Sequence, residues 1–373
     1  MSPDEAALAA GIDAVETLGP LDPVAMADAA AILEVLTTPP GSLGRLEDLV
    51  VQLAGITATP RPTLRDRAIV VAAADHGVAR RGVSAYPAEV TTQMVGNFLA
   101  GGAAINTLGA IVGASLTVID VGVAGSILDA SPEGGSGARL IRARVRPGTA
   151  DMTVGAAMSR AEALRAIAVG LAASRSLRAS GVELIAVGEM GIGNTTAASA
   201  ITAAMTGLAA ERVTGHGTGI DDATHAHKVE IVTRALGRHR PDPADPIGVL
   251  AAVGGLEIGA LVGVLIGAVA GRVPVVLDGF ITGAAALLAA ALAPGIAPRL
   301  IAGHRSVEPG HAIVVERLGL RPILELDLRL GEGTGAALAI TVIDAAIALR
   351  DGMATFGSAR DSGRHERTTP VDR

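Results

Sequence analysis

Ala68-Ile69-Val70-Val71-Ala72-Ala73-Ala74-Asp75-His76 is the stretch that decides the fold. Seven apolar residues in unbroken succession predict a strand buried on both faces, as in a parallel sheet covered by helices on either side. The run ends in a polar pair. In open α/β sheets ligands bind outside the carboxyl ends of the strands, so Asp75 and His76 stand where a site is expected.

Working outward, similar short apolar runs recur with polar groups after them. Leu116 to Ile119 ends at Asp120, and Val182 to Val187 ends at Gly188-Glu189. Val273 to Leu277 ends at Asp278-Gly279-Phe280, and Arg299 to Ala302 leads into Gly303-His304. Ala-rich helical segments separate them. This alternation predicts an α/β protein with a doubly wound, mostly parallel sheet and one crevice.

Two turns share one design. Leu324, Leu326, Leu328 and Leu330 alternate with Glu325, Asp327 and Arg329, a period of two that predicts a half-buried strand. Gly331-Glu332-Gly333-Thr334-Gly335 follows, then a helix from Ala336 to Leu349. Its glycines allow a tight bend and a close approach to a ligand. Glu332 is the one side chain there able to take up a proton. A solvated loop carboxylate would look the same, but Gly188-Glu189-Met190-Gly191-Ile192-Gly193-Asn194-Thr195-Thr196 repeats the arrangement after another strand. There Gly191 and Gly193 let backbone N–H groups converge, Asn194 or Thr195 is expected to cap the helix, and the positive helix end favours a phosphate. Neither a Walker loop nor a GxGxxG dinucleotide fingerprint is present.

Composition narrows the function. With 373 residues the chain can bury a large core and a second, smaller domain, and 48 Gly with an Ala-rich apolar half let helices lie close to a sheet. A formal net charge of −7 and only one Tyr, three Phe and no Trp argue against nucleic acid as a partner, for want of electrostatic attraction and stacking surfaces. The absence of cysteine excludes disulfides and thiolate chemistry and fits a reducing compartment. The acidic N-terminus lacks the basic start of a signal peptide. From Ile247 to Ala270 the sole charge is Glu257, a run long enough for a bilayer. Its Gly and Ala content, central Glu257 and break at Gly254-Gly255 favour a buried helix instead.

Several residues carry two readings. Tyr86, beside Ser84 and Gln93, offers a flat surface with hydrogen-bonding neighbours, or merely core packing. Arg142, Arg144 and Arg146 alternate as the exposed face of a short strand, or contact an anion. Residues 130 to 137 read as a flexible insertion. Lys228 lies on a helix starting near Asp221; His225 and His227, two apart, point to different helix faces and make no metal site. No other metal-ligand spacing is present. A polar tail from Ser358 is expected to be disordered.

Six segments, in one collinear order over residues 35 to 345, resemble the nicotinate-nucleotide:dimethylbenzimidazole phosphoribosyltransferase family. They are Pro39-Pro40-Gly41-Ser42-Leu43-Gly44-Arg45-Leu46-Glu47, Asp75-His76-Gly77-Val78, Gly188 to Thr196, Leu277-Asp278-Gly279-Phe280, Ser306-Val307-Glu308-Pro309-Gly310-His311 and Leu328 to Gly335. The resemblance implies transfer of phosphoribose from nicotinate mononucleotide to 5,6-dimethylbenzimidazole, forming α-ribazole 5′-phosphate and nicotinate for the lower ligand of cobalamin. It implies a cytoplasmic homodimer acting on small molecules, with no cofactor, metal or membrane.

It also implies a Rossmann-like catalytic domain over 61–335. A small helical domain would come from residues 1–60 and the C-terminal helix 336–357, with 358–373 as the tail. By the same resemblance Glu332 is the catalytic base. Glu189, Gly191, Gly193, Asn194, Thr195, Lys228, Asp278 and Ser306 serve the nucleotide and its phosphate, while Ser84, Tyr86 and Gln93 lie at the acceptor base. Transfer to another base, such as adenine or a phenol, is the alternative within the same chemistry; a non-catalytic nucleotide-binding protein is the alternative outside it.

Overall fold

The structure, a computed structural model, describes residues 1–127 and 138–359. The insertion expected at 130–137 lies outside the described residues, as does the tail from 360 onward. Ser358 and Ala359 close a last helical turn, Phe356–Ala359, in which the Ser358 amide donates to Thr355 Oγ1.

Among the described residues six parallel strands form the sheet: β1 (Arg67–Ala74), β2 (Ala114–Gly122), β3 (Arg139–Arg142), β4 (Leu184–Met190), β5 (Val275–Leu277) and β6 (Leu300–Ala302). Their order is β3-β2-β1-β4-β5-β6. The apolar run that opened the sequence is the central strand, buried from Ala68 to Ala74. Ile69 of β1 lies between Leu116 of β2 and Ala186 of β4. The chain reverses its direction of winding between β1 and β4, and this switch point opens a crevice at the carboxyl ends.

The apolar run at 247–270 divides at Gly254-Gly255 into helices Pro246–Val253 and Leu256–Val269. Every residue of Leu256–Val269 is buried, and each large aliphatic side chain so placed contributes about 1.5–3 kcal/mol. This helix packs on Arg160–Ala179 backbone to backbone. A Cβ on Gly170 would overlap the carbonyl of Ala260, and one on Gly263 would overlap that of Ile167. Among the described residues a different stretch, Val90–Ile111, is long and apolar enough to cross a membrane. It is interrupted after Ala100, between helices Val90–Ala100 and Ala104–Ile111.

Contacts divide the chain into two units, residues 1–20 with 64–340 and residues 21–63 with the part from 341. Residues 1–20, expected in the small helical domain, therefore go with the sheet. Leu8 and Val15 are buried there, and the Arg299 guanidinium donates to the carbonyls of Gly295, Gly19 and Pro20. The second unit pairs helices Pro23–Glu34 and Arg45–Thr57, with Asp22 capping the first and Gly44 opening the second. Within it the Arg350 guanidinium is buried and donates to the Pro62 carbonyl. The division falls inside helix Thr334–Gly352.

Two local expectations fail for physical reasons. The leucine alternation at 324–330 is not a strand. Leu324 makes one parallel bridge with His304, and the chain then turns at Asp327, whose φ of +53° is incompatible with extension. Leu326 and Leu330 are 53% and 51% exposed. In turn, β4 runs on to Met190, because Glu189 and Met190 pair with Ala72 and Ala73. Glu189 thus ends a strand, and the turn proper is Gly191 to Gly193. Of the three alternating arginines, Arg144 pairs with Asp120 at 3.1 Å and Arg146 with Glu162 at 3.3 Å; these carboxylates take the place of an external anion.

Candidate active site

The crevice is a cleft enclosing 790 Å³, counting the part open to solvent, a size suited to a nucleotide. It lies wholly in the sheet unit. Three strand ends, those of β4, β5 and β6, and the segment before helix Thr334–Gly352 supply most of its chemistry.

The end of β4 makes the first wall. Gly193, at φ +96°, occupies the cap position of helix Asn194–Thr206, so neither Asn194 nor Thr195 caps it as expected. Asn194 instead turns its amide onto the Glu189 carboxylate. Glu189 is buried, and burial together with the charges of Asp278 and Glu257 pushes its carboxyl up to about 8. Thr195 Oγ1 accepts from Lys228 Nζ at 2.9 Å, and Nζ also donates to the Gly215 carbonyl at 3.1 Å. An ammonium has three protons, so one remains for a ligand. Burial lowers Lys228 to about 8 despite the nearby Glu308.

The Glu332 turn packs against that wall; Gly331 lines the cleft, and Glu332 lies just behind it, outside the lining. Gly331, Glu332 and Gly333 have φ of +84°, +63° and +87°, a left-handed run that costs a non-glycine residue on the order of 1 kcal/mol or more. The run fits because other glycines make room. A Cβ on Gly188 would overlap the Glu332 and Gly333 backbone, and one on Gly335 would overlap the His304 ring. Glu332 is 5% exposed, its Oε2 has no hydrogen-bond partner, and burial with the charge of Asp278 pushes it up to about 7. A carboxylate so placed can take up a proton near neutrality.

Asp278 follows β5 and is buried. Its Oδ1 accepts from the amides of Gly335 and Ala336 at 2.7 and 3.1 Å, and its Oδ2 from that of Gly333 at 3.2 Å. Ser306 lines the cleft, its amide donating to His311 Nδ1 at 2.9 Å. Burial and the neighbouring His304 and Arg305 hold His311 down to about 3, so it is the neutral acceptor that this bond requires.

Of the residues expected at the acceptor base, Ser84 lines the cleft, whereas Tyr86 and Gln93 are exposed and do not line it. The sequence reading singled out no role for His304, Glu308, Arg329 or the loop from Gly215 to Gly219, all at or beside the cleft. His304 and Glu308 were within reach, since they flank Ser306 after a strand. Glu257, read only as a charge in an apolar run, is fully buried and bonded to His76 at 2.6 Å. His225 and His227 bond the carbonyls of Thr214 and Arg81 at 2.9 and 2.7 Å.

Comparison with known proteins agrees with this geometry. A family model described as phosphoribosyltransferase matches residues 18–360. The chain is 55% identical over 354 residues to the nicotinate-nucleotide–dimethylbenzimidazole phosphoribosyltransferase of Roseiflexus sp. (strain RS-1), covering 95% of this chain and 98% of the relative. It is likewise 55% identical over 352 residues to the enzyme of that name from Chloroflexus aggregans, covering 94% and 98%. The crystal structure of CobT from Thermus thermophilus superposes with a TM-score of 0.86 at 48% identity, covering 92% of this chain and all of that one.

Proposed function

The chain belongs to the nicotinate-nucleotide–dimethylbenzimidazole phosphoribosyltransferase family, and from that premise we propose that it transfers phosphoribose from nicotinate mononucleotide to 5,6-dimethylbenzimidazole. The observation that carries the mechanism is the buried Glu332 carboxylate, whose Oε2 has no partner and whose neighbour Gly331 lines the cleft. One acceptor nitrogen forms a bond to C1′ while the C1′–N bond to nicotinate breaks, and nicotinate departs with a neutral ring nitrogen. The other acceptor nitrogen gives its proton to Glu332. Attack opposite the leaving group inverts C1′, so a β-nucleotide yields an α-riboside phosphate. Lys228 and the amides opening helix Asn194–Thr206 are the groups fitted to the phosphate.

The same reading gives a homodimer in the cytoplasm, acting on small molecules away from membranes. A cysteine-free chain and a net charge of −7 support it, as do the exposed side chains of Ile111, Leu326 and Leu330, candidates for a covered surface.

Purified protein given both substrates is expected to release nicotinate and form α-ribazole 5′-phosphate, separated by chromatography. Glu332→Gln should lower kcat about 10²–10⁴-fold, the usual worth of a general base. A wild type that folds but forms no product would refute the reading; an unimpaired Glu332→Gln would remove Glu332 as the base.

A further inference from the structure

We propose that Asp278 is the positioning residue of this enzyme, a carboxylate that builds and orients the catalytic turn rather than a group that holds the nucleotide. The proposal rests on the phosphoribosyl-transfer reading above and deepens it.

Both Asp278 oxygens are already engaged. Three amides on the far side of Glu332, those of Gly333, Gly335 and Ala336, donate to them at 2.7–3.2 Å. Asp278 thereby acts as the N-terminal cap of helix Thr334–Gly352 from a distant strand, where the helix's unpaired donors and its dipole favour an anion. His304 Nε2 stands 3.5 Å from Oδ1. Three of the carboxylate's roughly four acceptor sites are thus taken by the turn, which leaves one on Oδ2.

The turn has reason to need these bonds. Glu332 is the one non-glycine among three successive left-handed residues, and a non-glycine residue holds that conformation only where the surroundings over-determine it. Thr334 closes the turn from within, donating from Oγ1 to the Gly331 carbonyl at 2.8 Å, and Asp278 ties it to β5 from outside. Its charge then acts on what it has positioned, for after burial Asp278 is the influence that raises Glu332.

The other ionisable groups of the cleft beside the turn come from neighbouring strand ends and loops: Glu189 near the end of β4, His304 and Glu308 after β6, and Arg329 on the turn's own segment. Lys228 faces the cleft from its helix, and Glu257 acts on Glu189 from behind.

Asp278→Asn keeps the shape, but its amide nitrogen cannot accept from one of the turn's N–H groups, and the charge is gone. We expect kcat to fall about 10²-fold, the cost of roughly an ångström of misplacement. KM and the calorimetric Kd for nicotinate mononucleotide should stay within about twofold of wild type, since uniform binding is untouched. The acid limb of the kcat profile should move to lower pH. In 13C-glutamate-labelled protein, the carboxyl resonance that Glu332→Gln deletes should titrate at lower pH in Asp278→Asn than in wild type, a readout that needs no turnover. Asp278→Ser, a smaller acceptor, serves if the asparagine variant fails to fold.

A large rise in KM and Kd with kcat kept would overturn the proposal and make Asp278 a nucleotide ligand. An unmoved Glu332 titration with an unchanged kcat would also overturn it. An inactive wild type whose Glu332 titration still shifts in the variant would instead count against the transferase reading alone, leaving Asp278 as the organiser of the turn.

Discussion

Glu189 lines the cleft and Glu332 lies next to it, and both carboxyls are held above an ordinary glutamate value of 4.5, at about 8 and about 7. The fold therefore favours their protonated forms. Their ionisation weakens the native state as pH rises from about 4.5 through 7 and 8, and the penalty is absent below the unfolded value. Glu189→Gln should accordingly stabilise the protein by a few kcal/mol at about pH 9 and by almost nothing at about pH 4. Urea unfolding at the two pH values decides it; equal gains at both would mean that something other than ionisation makes Glu189 unfavourable. In the proposed mechanism the direction reverses, because a base must be ionised, so kcat should decline below about pH 7 as Glu332 takes up its proton. Glu332 and Glu189 stood out in the sequence because the Gly-Glu arrangement occurs twice after an apolar stretch, and the structure buries both. Glu257 did not stand out, because a single charge in an apolar run reads the same whether it faces lipid or, as here, the histidine that follows β1. Tyr86 is exposed and outside the cleft lining, since adjacency to Ser84 in sequence does not fix where an aromatic ring lies.

At the level of elements, continuous apolar runs were the reliable signal and alternation was not. β1, β2 and β5 are buried on both faces, so their sequences announce themselves without periodicity. The leucines at 324–330 alternate without a sheet partner beyond Leu324, and a period of two cannot reveal whether an edge is available to pair with. The end of β4 was misread because glycine suggests a turn, whereas Gly188 is there to let the Glu332 segment approach. The same economy governs helices Arg160–Ala179 and Leu256–Val269, which meet through Gly170 and Gly263. Gly263→Ala must force them apart, and overpacking of this kind costs typically about 1–3 kcal/mol, more where backbone is the obstacle. A drop in the urea midpoint of that order, with kcat per folded molecule unchanged, is the expected result. An alanine variant as stable as wild type would show that the helices slide freely.

For the whole molecule, the strand order follows from alternation of strands and helices only as a class; which strand is central is fixed by pairing that no local pattern encodes. The placing of the first twenty residues with the sheet unit was hidden for the same reason, since their anchors, Arg299 above all, lie some 280 positions away. Sedimentation equilibrium should return twice the chain mass of 37.0 kDa if the homodimer reading holds, and a monomer at micromolar concentration would end it. The reach of Asp278 to the amides of residues 333 to 336 has a further consequence, for the nascent chain. While a ribosome is still adding the residues just before Gly333, the strands from β1 to β6 have all been made, yet the carboxylate after β5 has no amides to accept. Burying it then is unfavourable, so the sheet's last layer should close only as those few residues emerge, and the growing chain acquires its finished core and its reactive centre in one late event.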